Sequence, residues 1–421
     1  MFKFIHSADI HLDSPLRGLE RYEGAPVEEI RSATRRALEN LIELAIGEEV
    51  DFVLIAGDVY DREWPDHNTG LFFVTQMAKL RAAGIPLLLI TGNHDAAKKM
   101  SRSLPLPGNV TTLSYKRPET VVLEEIGVAI HGQGFGEAKV DRNVVPDYPA
   151  AISGYFNIGM LHTSLDGIEG HSSYAPCTLN DLRSRSYDYW ALGHIHKRAI
   201  MDEDPTIVYP GNIQGRHIRE TGAKGCMLIS VDDAQQIEAV FRPLDVFRWE
   251  LCRVDVDGAA DRDTVLDIVA AKLSNLVSAN DDRPLAVRIV LSGASAAHAS
   301  LVAQRDAWTG DLRAKALDVP GGRIWIEKIE LRTSPAVEAN ETWDNDGPIG
   351  ELINYCQELR RDDLGLKKLT EVLDPLRRAL PGELVRGSDA LRLDDPEWVG
   401  ELLEEVEPLL LNRLLAEEVP Q

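Results

Sequence analysis

The stretch Pro86–Asp95, PLLLITGNHD, narrows what this chain can fold into more than any other. Its apolar run has the length of a buried strand, breaks at Gly92, and delivers Asn93, His94 and Asp95 at once. A strand without polar alternation needs cover on both faces, the condition of a parallel sheet. Parallel strands in turn need long connections, usually helical. Ligands in open sheets of this kind bind just beyond the carboxyl ends of the strands. Taken alone, the same residues equally describe an ordinary strand-to-loop turn whose polar groups face water. The neighbouring stretches discriminate between the two.

They repeat the pattern. Phe2–Ser7 (FKFIHS) reads as a strand that runs into Asp9-Ile10-His11. From Glu28 to about Ile46, apolar residues at Ile30, Ala33, Ala37, Leu38, Leu41 and Ala45 predict an amphipathic helix. Asp51–Ala56 predicts a second strand closing on Gly57-Asp58. Asn68–Ala83 then predicts a second helix, with Gly84 as its stop and Pro86 barring continuation. This β-α-β-α-β order implies right-handed crossovers and a parallel sheet. Shorter runs at Val121–Leu123, Gly127–His131, Phe156–Leu161, Tyr187–Leu192, Ile207–Val208 and Cys226–Val231 predict a second sheet layer. Arg242-Pro243 marks a boundary.

The pattern restarts at Glu250. Strands over Leu251–Val256, Leu285–Leu291 and Arg323–Leu331 alternate with helices over Thr264–Val277 and Ala296–Ala307. Pro335–Pro348 is polar and turn-rich, as a linker would be. Apolar stripes then predict helices over Ile349–Leu359, Leu364–Leu380 and Glu397–Leu415. The expected organisation is an α/β domain over 1–243, a small α/β domain over 244–334 and a helical region over 335–421.

Composition bounds the function classes. At 421 residues, 44% hydrophobic and 27% charged, the chain is an ordinary globular protein of two or three domains. It has no run near the roughly 20 apolar residues that span a membrane, and MFKFIHSADIHLD turns polar too early for a signal peptide. A cytoplasmic enzyme is the expectation. Cys177, Cys226, Cys252 and Cys356 lie far apart and form no CxxC pair, so neither a zinc knuckle nor a disulfide framework is expected. The net charge of −23 argues against coating DNA non-specifically. That charge is uneven: from Pro335 onward, 9 Lys and Arg face 21 Asp and Glu, a net of −12. The remaining chain is only moderately acidic and has room for a local basic groove.

Five strand ends carry metal-type ligands. Asp9 and His11 follow the first strand, Asp58 the second, and Asn93 with His94 the third. His162 (GMLH) and His194-Ile195-His196 (ALGHIH) end two more, so five of the eleven histidines fall at such positions. Residues i and i+2 of an extended segment point the same way, so Asp9 can share a target with His11, and His194 with His196. A single His or Asp at a strand end is usually a solvated residue; five strand ends together are a constellation. Oxygen and nitrogen donors without thiolate favour Mn²⁺, or Fe, Co or Zn, over a structural zinc. Eight residues exceed what one divalent ion needs, so two ions with a bridging carboxylate are expected. Such a centre makes hydroxide available near neutral pH and screens an incoming phosphodiester.

In order, DIH, GDVYD, GNHD, the strand-end His162 and GHIH resemble the five motifs of the calcineurin-like metallophosphoesterases. DIHLDSPL, GNHD and YPGNIQGRHIRETGAKGC look most like the SbcD and YhaO-type DNA-repair exonucleases, nuclease subunits of a double-strand-break nuclease–ATPase complex. The resemblance implies a two-sheet sandwich flanked by helices, a small capping domain and a partner-binding tail. It implies that Asp9, His11, Asp58 and His196 hold one metal, and that Asp58, Asn93, His162 and His194 hold the other. His94 is then free to protonate or stabilise the leaving 3′ oxygen, with Asp61 orienting it. The implied partners are DNA and a coiled-coil ATPase of the SbcC type, with a homodimer as a further expectation. The last amphipathic helix is a docking candidate, or packs on its own chain.

Other candidates carry less. Arg216, His217 and Arg219 are placed to contact phosphate or to form surface ion pairs, and Lys98, Lys99 and Arg102 to line a DNA path or end a helix in water. His171 reads as plain loop, and His6, His67, His131 and His298 have no evident role. Two other readings stay open: a phosphodiesterase for small nucleotides or phosphoproteins, and a regulatory subunit of an ATPase complex with a secondary metal site. Against the first stand the cap and GNHD, since protein phosphatases of the superfamily typically carry GNHE. For the second stands the acidic surface.

Overall fold

The computed structural model describes residues 1–14, 25–61, 68–96, 105–137, 139–165, 174–319, 321, 323–336, 347–380, 391–396, 398–400, 402–403 and 406. Two six-stranded mixed sheets dominate. The first is built from β1 (Phe2–Ser7), β2 (Phe52–Ala56), β3 (Leu87–Ile90) and β4 (Val110–Thr112), all parallel. The antiparallel pair β11 (Gly225–Val231) and β12 (Ile237–Pro243) extends it beside β1, giving the order β12-β11-β1-β2-β3-β4. The crossovers are α1 (Val27–Gly47) and α2 (Asn68–Ala82). A four-residue helical turn, α3 (Asn93–Ala96), follows β3.

The second sheet has the order β5 (Glu119–Leu123), β6 (Val128–Gln133), β7 (Phe156–His162), β8 (Tyr189–Gly193), β10 (Thr206–Tyr209), β9 (Ala199–Glu203). Its centre, β6-β7-β8-β10, is parallel and its two edges are antiparallel. A short capped helix, α4 (Leu179–Arg183), lies between β7 and β8 in sequence.

The strand sequences explain the layering. Side chains alternate faces along a strand, so a strand that is apolar at every position supplies two cores. Ile5, Val53, Ile55, Leu87 and Leu89 pack against Leu38, Leu41 and Ile42 of α1 and Phe73, Met77 and Leu80 of α2. Their neighbours Phe4, Phe52, Leu54, Leu88 and Ile90 face the other way, onto Ile130, Ile158, Met160 and Tyr189 of the second sheet. The outer face of that sheet buries Leu161, Trp190, Leu192, Ile207 and Tyr209 under Tyr148 and Leu182.

A buried polar residue of the first sheet also reaches the second. His6 on β1 is fully buried, with Nδ1 2.9 Å from the Tyr189 hydroxyl and Nε2 3.1 Å from the Leu192 carbonyl. A carbonyl only accepts, so Nε2–H donates to it and Nδ1 accepts from the phenol. Burial pushes this imidazole down to about 3, against the favourable Leu192 carbonyl. The unfolded chain therefore binds a proton on His6 near pH 6.5 and the folded protein does not. Stability from the neutral ring is complete above about pH 6.5 and falls by about 1.4 kcal/mol per pH unit below it, down to the folded value. Urea unfolding at pH 7, 6 and 5 is expected to show a steeper acid loss for the wild type than for His6→Gln. Equal slopes would remove the assignment.

The rest of the chain forms β13 (Arg248–Asp255), α5 (Arg262–Ala279), β14 (Leu285–Ser295), α6 (His298–Ala303), α7 (Arg305–Leu317) and β15 (Ile324–Pro335). The three strands form one sheet in the order β13-β14-β15. Helices α8 (Pro348–Arg361) and α9 (Asp363–Ala379) follow. Two compact units result: Met1–Cys252 with 274–288 and 319–328, and Arg253–Leu273 with 289–318 and 329–421. In the first, Trp249, Phe247, Ala286 and Trp325 cluster with Ile30 and Ala33 of α1.

Sequence reading misses β4, β9 and β12. All three are half-exposed edge strands whose polar positions interrupt any apolar run. The helix expected over Ala296–Ala307 is two helices broken at Gln304, and the second continues to Leu317. After β3, where a strand-to-loop turn is one reading of the sequence, Asn93–Ala96 forms a helical turn. Most of Glu397–Leu415, with His67, Lys98, Lys99, Arg102 and His171, lies outside the described residues.

Candidate metal centre

The carboxyl ends of β1, β2, β3, β7 and β8 converge on one point, and the backbone there is unusual. Asp9, His11, Asp58 and His194 have φ of 50, 47, 53 and 97°, the left-handed region that residues with a Cβ seldom enter. Such conformations persist only where the surroundings over-determine them, and they concentrate at functional sites. Here they turn four side chains inward at the point where each strand stops. Two glycines allow the approach. A Cβ on Gly92 would fall on the Asp58 carboxylate, and one on Gly193 on the Ala56 carbonyl.

The side chains meet in two overlapping groups. Asp9, His11 and His196 offer ligand atoms within 4.8 Å of one another, as do Asp9, Asp58 and His162. The Nε2 atoms of His11 and His196 are 3.1 Å apart. On the other side, Asn93 Oδ1 lies 2.9 Å from His162 Nε2 and 3.3 Å from His194 Nδ1. Asp9 belongs to both groups, and Asp58 also reaches both, with Oδ2 3.4 Å from His162 Nε2 and 3.8 Å from His11 Nε2. All seven residues expected as ligands are thus brought together.

Around them lies a layer that holds them still. The His194 amide donates to both Asp9 oxygens, and the His94 amide to Asp58 Oδ1. His162 Nδ1 is 2.9 Å from the Ala56 carbonyl, which leaves Nε2 to face inward. Tyr174 stacks on His194 and sets its edge against His162. Asp95, the last residue of GNHD, is buried and accepts from the amides of Val59, Tyr60 and Gly92, tying the β2 loop to the β3 loop. Farther along the first loop, Asp13 receives Arg35 of α1 and Thr69 of α2.

His94 sits at the rim, a quarter exposed, with Nδ1 2.8 Å from Asp61 Oδ1. Asp61 is itself held by the Ser14 hydroxyl at 2.7 Å. Burial opposes a charged His94, but the Asp61 hydrogen bond and the Asp58 and Asp61 charges outweigh it and raise its pKa. Burial likewise opposes the charge on Asp61, yet His94, Ser14 and Arg216 hold it down at about 2. His94 also comes within ligand-group reach of His11 and Asp58, so its freedom from metal is an assignment by role, not by distance.

Of the three residues expected to contact substrate, only Arg216 lies inside this assembly. Its guanidinium is spent on carboxylates: Nη2 lies 3.1 Å from Glu220 Oε1, and Nη1 3.4 Å from Asp61 Oδ2. His217 and Arg219 are exposed on the same loop, with His217 Nε2 3.6 Å from Glu220 Oε1. Sequence reasoning passes over Glu220 and Asp95. The only signal for either is its position inside a motif, because a buried carboxylate and a solvated one look identical in a sequence.

The donors fit metal ions. Two histidine nitrogens stand 3.1 Å apart, a spacing that two donors of one ion at about 2.0–2.1 Å each can adopt, and His11 Nδ1 is buried with no hydrogen-bond partner among the described residues. Two carboxylates buried in contact with four imidazoles and a carboxamide oxygen make a hard, mixed O/N set without thiolate.

Two mixed sheets with flanking helices and a strand-end cluster of this composition define a metallophosphoesterase. The chain belongs to the calcineurin-like metallophosphoesterase family, whose members use a dinuclear metal site and hydrolyse phosphoesters. The calcineurin-like phosphoesterase profile matches residues 2–198, and that of the middle domain of the metallophosphoesterase YhaO matches 249–334. The chain is 37% identical over 294 residues to the uncharacterised metallophosphoesterase YhaO of Bacillus subtilis, covering 69% of this chain and 71% of that one. Among solved structures, a dimetal phosphatase from Danio rerio is 13% identical, with 55% of this chain and 93% of that chain covered, at a TM-score of 0.33. No described helix is long and apolar enough to cross a membrane.

Proposed function

We propose that this metallophosphoesterase is a DNA exonuclease or endonuclease acting in DNA repair. The observation that carries the reading is His94, which sits beside the ligand cluster with its Nδ1 on Asp61 and its other nitrogen free of any hydrogen-bond partner among the described residues. An alkoxide such as a 3′ oxygen is a poor leaving group, and a positioned imidazole suits its protonation. The two ions, Mn²⁺ by preference, would supply a hydroxide nucleophile near neutral pH and screen the phosphate charge. Asp9, His11, Asp58 and His196 would hold one ion and Asp58, Asn93, His162 and His194 the other. Asp61 keeps His94 aimed at the leaving group. The sequence stretches DIHLDSPL and YPGNIQGRHIRETGAKGC support a DNA substrate and an SbcC-type ATPase partner through their resemblance to repair nucleases.

The net charge of −23 favours a second reading, a phosphodiesterase for small nucleotides. Purified protein with Mn²⁺ should be offered duplex DNA, single-stranded DNA and bis-p-nitrophenyl phosphate. Cleavage of DNA is the expected result. Turnover of the small ester alone would transfer the assignment to the second reading, and DNA cleavage that appears only with an ATPase added would make the partner obligatory.

A further inference from the structure

We propose that Glu220, braced by Arg216, is a positioning residue that fixes the tautomer and aim of His196 toward the metal centre. Glu220 is 5% exposed, and its Oε1 lies 2.7 Å from His196 Nδ1. Its Oε2 is held by three donors: the Arg216 amide at 2.8 Å, Asn212 Nδ2 at 2.9 Å and Arg216 Nε at 3.5 Å. Both Glu220 oxygens accept from Arg216, Oε1 from Nη2 and Oε2 from the amide, so the carboxylate faces His196 as an acceptor. His196 Nδ1 must then carry the ring proton. In the neutral ring the lone pair then falls on Nε2, the atom that faces His11 Nε2 across 3.1 Å inside the cluster.

The geometry contains its own competitor. Arg216 Nη2 also lies 3.2 Å from His196 Nδ1, so the opposite tautomer would accept from the guanidinium there and place a proton on Nε2, inside the ligand cluster. The same Nη2 lies 3.1 Å from Glu220 Oε1, and the shorter, charge-assisted Glu220–His196 contact decides the matter. Carboxylates that accept from a metal-ligating histidine fix its tautomer and raise its basicity, and losing one typically costs about 10–100-fold in metal affinity. Arg216 also reaches Asp61, the partner of His94, so one guanidinium braces the outer supports of two histidines that both pack on His11.

This inference rests on His196 being a ligand, so the experiment separates the two claims. Metal-stripped wild type, Glu220→Gln and His196→Ala are titrated calorimetrically with Mn²⁺. Glutamine matches the shape, but its amide must either confront the donors at Oε2 or donate to Nδ1 and force the wrong tautomer. Both variants are expected to weaken one of the two binding events, Glu220→Gln by about 10–100-fold. If His196→Ala weakens binding while a folded Glu220→Gln matches wild type, Glu220 has no positioning role. If His196→Ala itself binds like wild type, the ligand assignment falls and this inference with it. Should Glu220→Gln fail to fold, ¹⁵N-histidine NMR of the metal-stripped wild type decides, with His196→Ala identifying the signal. Recorded at a pH where the ring is neutral, a proton on Nδ1 supports the proposal, and a proton on Nε2 overturns it.

Discussion

An Asp58→Asn protein is expected to fold, to lose at least one tightly bound ion, and to hydrolyse bis-p-nitrophenyl phosphate on the order of 10³-fold more slowly. The magnitude follows from the several kcal/mol of charge stabilisation that a metal centre contributes, at about 1.4 kcal/mol per factor of ten. Asp58, like Asp9, is close to both halves of the cluster: its Oδ2 lies 3.8 Å from His11 and 3.4 Å from His162, while its Oδ1 takes the His94 amide. Asparagine keeps the volume and therefore the packing, but offers a single acceptor where both oxygens are engaged. Elemental analysis after gel filtration, paired with initial rates, checks the result. Two ions bound and near-normal turnover would show that Asp58 does not bridge.

His94→Gln should separate chemistry from metal binding. Metal content is expected to stay at the wild-type value, while cleavage of a phosphodiester with an alkoxide leaving group falls by about 10²–10⁴-fold, the usual contribution of general acid catalysis. Nitrophenolate leaves without needing a proton, so the loss on bis-p-nitrophenyl phosphate should be much smaller. That contrast is the signature. An equal loss on both substrates would mean that His94 acts on something other than the leaving group. Loss of an ion would place His94 among the ligands, as its proximity to His11 and Asp58 allows. Glutamine lacks the imidazole proton but has the length to reach Asp61, so the Asp61 side chain is not left unpaired.

Much of this molecule is legible in its sequence. The runs FKFIHS, DFVLIA and PLLLI are apolar at consecutive positions because both faces of the first sheet are covered, so they stand out from everything around them. The edge strands β4, β9 and β12 are not legible, since each has a partly wet face and its register is set by the neighbour it pairs with. The same contrast divides the candidate site. Asp9, His11, Asp58, Asn93, His162, His194 and His196 can be picked out because each ends or closely follows a readable strand, and parallel strands put such ends on one side.

Glu220, Asp95 and His6 cannot be picked out. Glu220 reaches His196 across 24 positions, Asp95 reaches Val59 across 36, and His6 meets Tyr189 across 183. No local pattern records a contact made by folding.

The stretch PLLLITGNHD shows the division in a single place. Sequence alone determined that it is a buried strand ending in metal-type ligands, because hydrophobic periodicity and the order of elements are local properties of the chain. Only the tertiary structure decided that GNHD closes into a helical turn, that Gly92 must lack a side chain because Asp58 fills its space, and that the final Asp95 faces inward to hold the loop of another strand. Those outcomes depend on which atoms from distant segments occupy the same few ångströms, and close packing settles that only once the sheets are assembled.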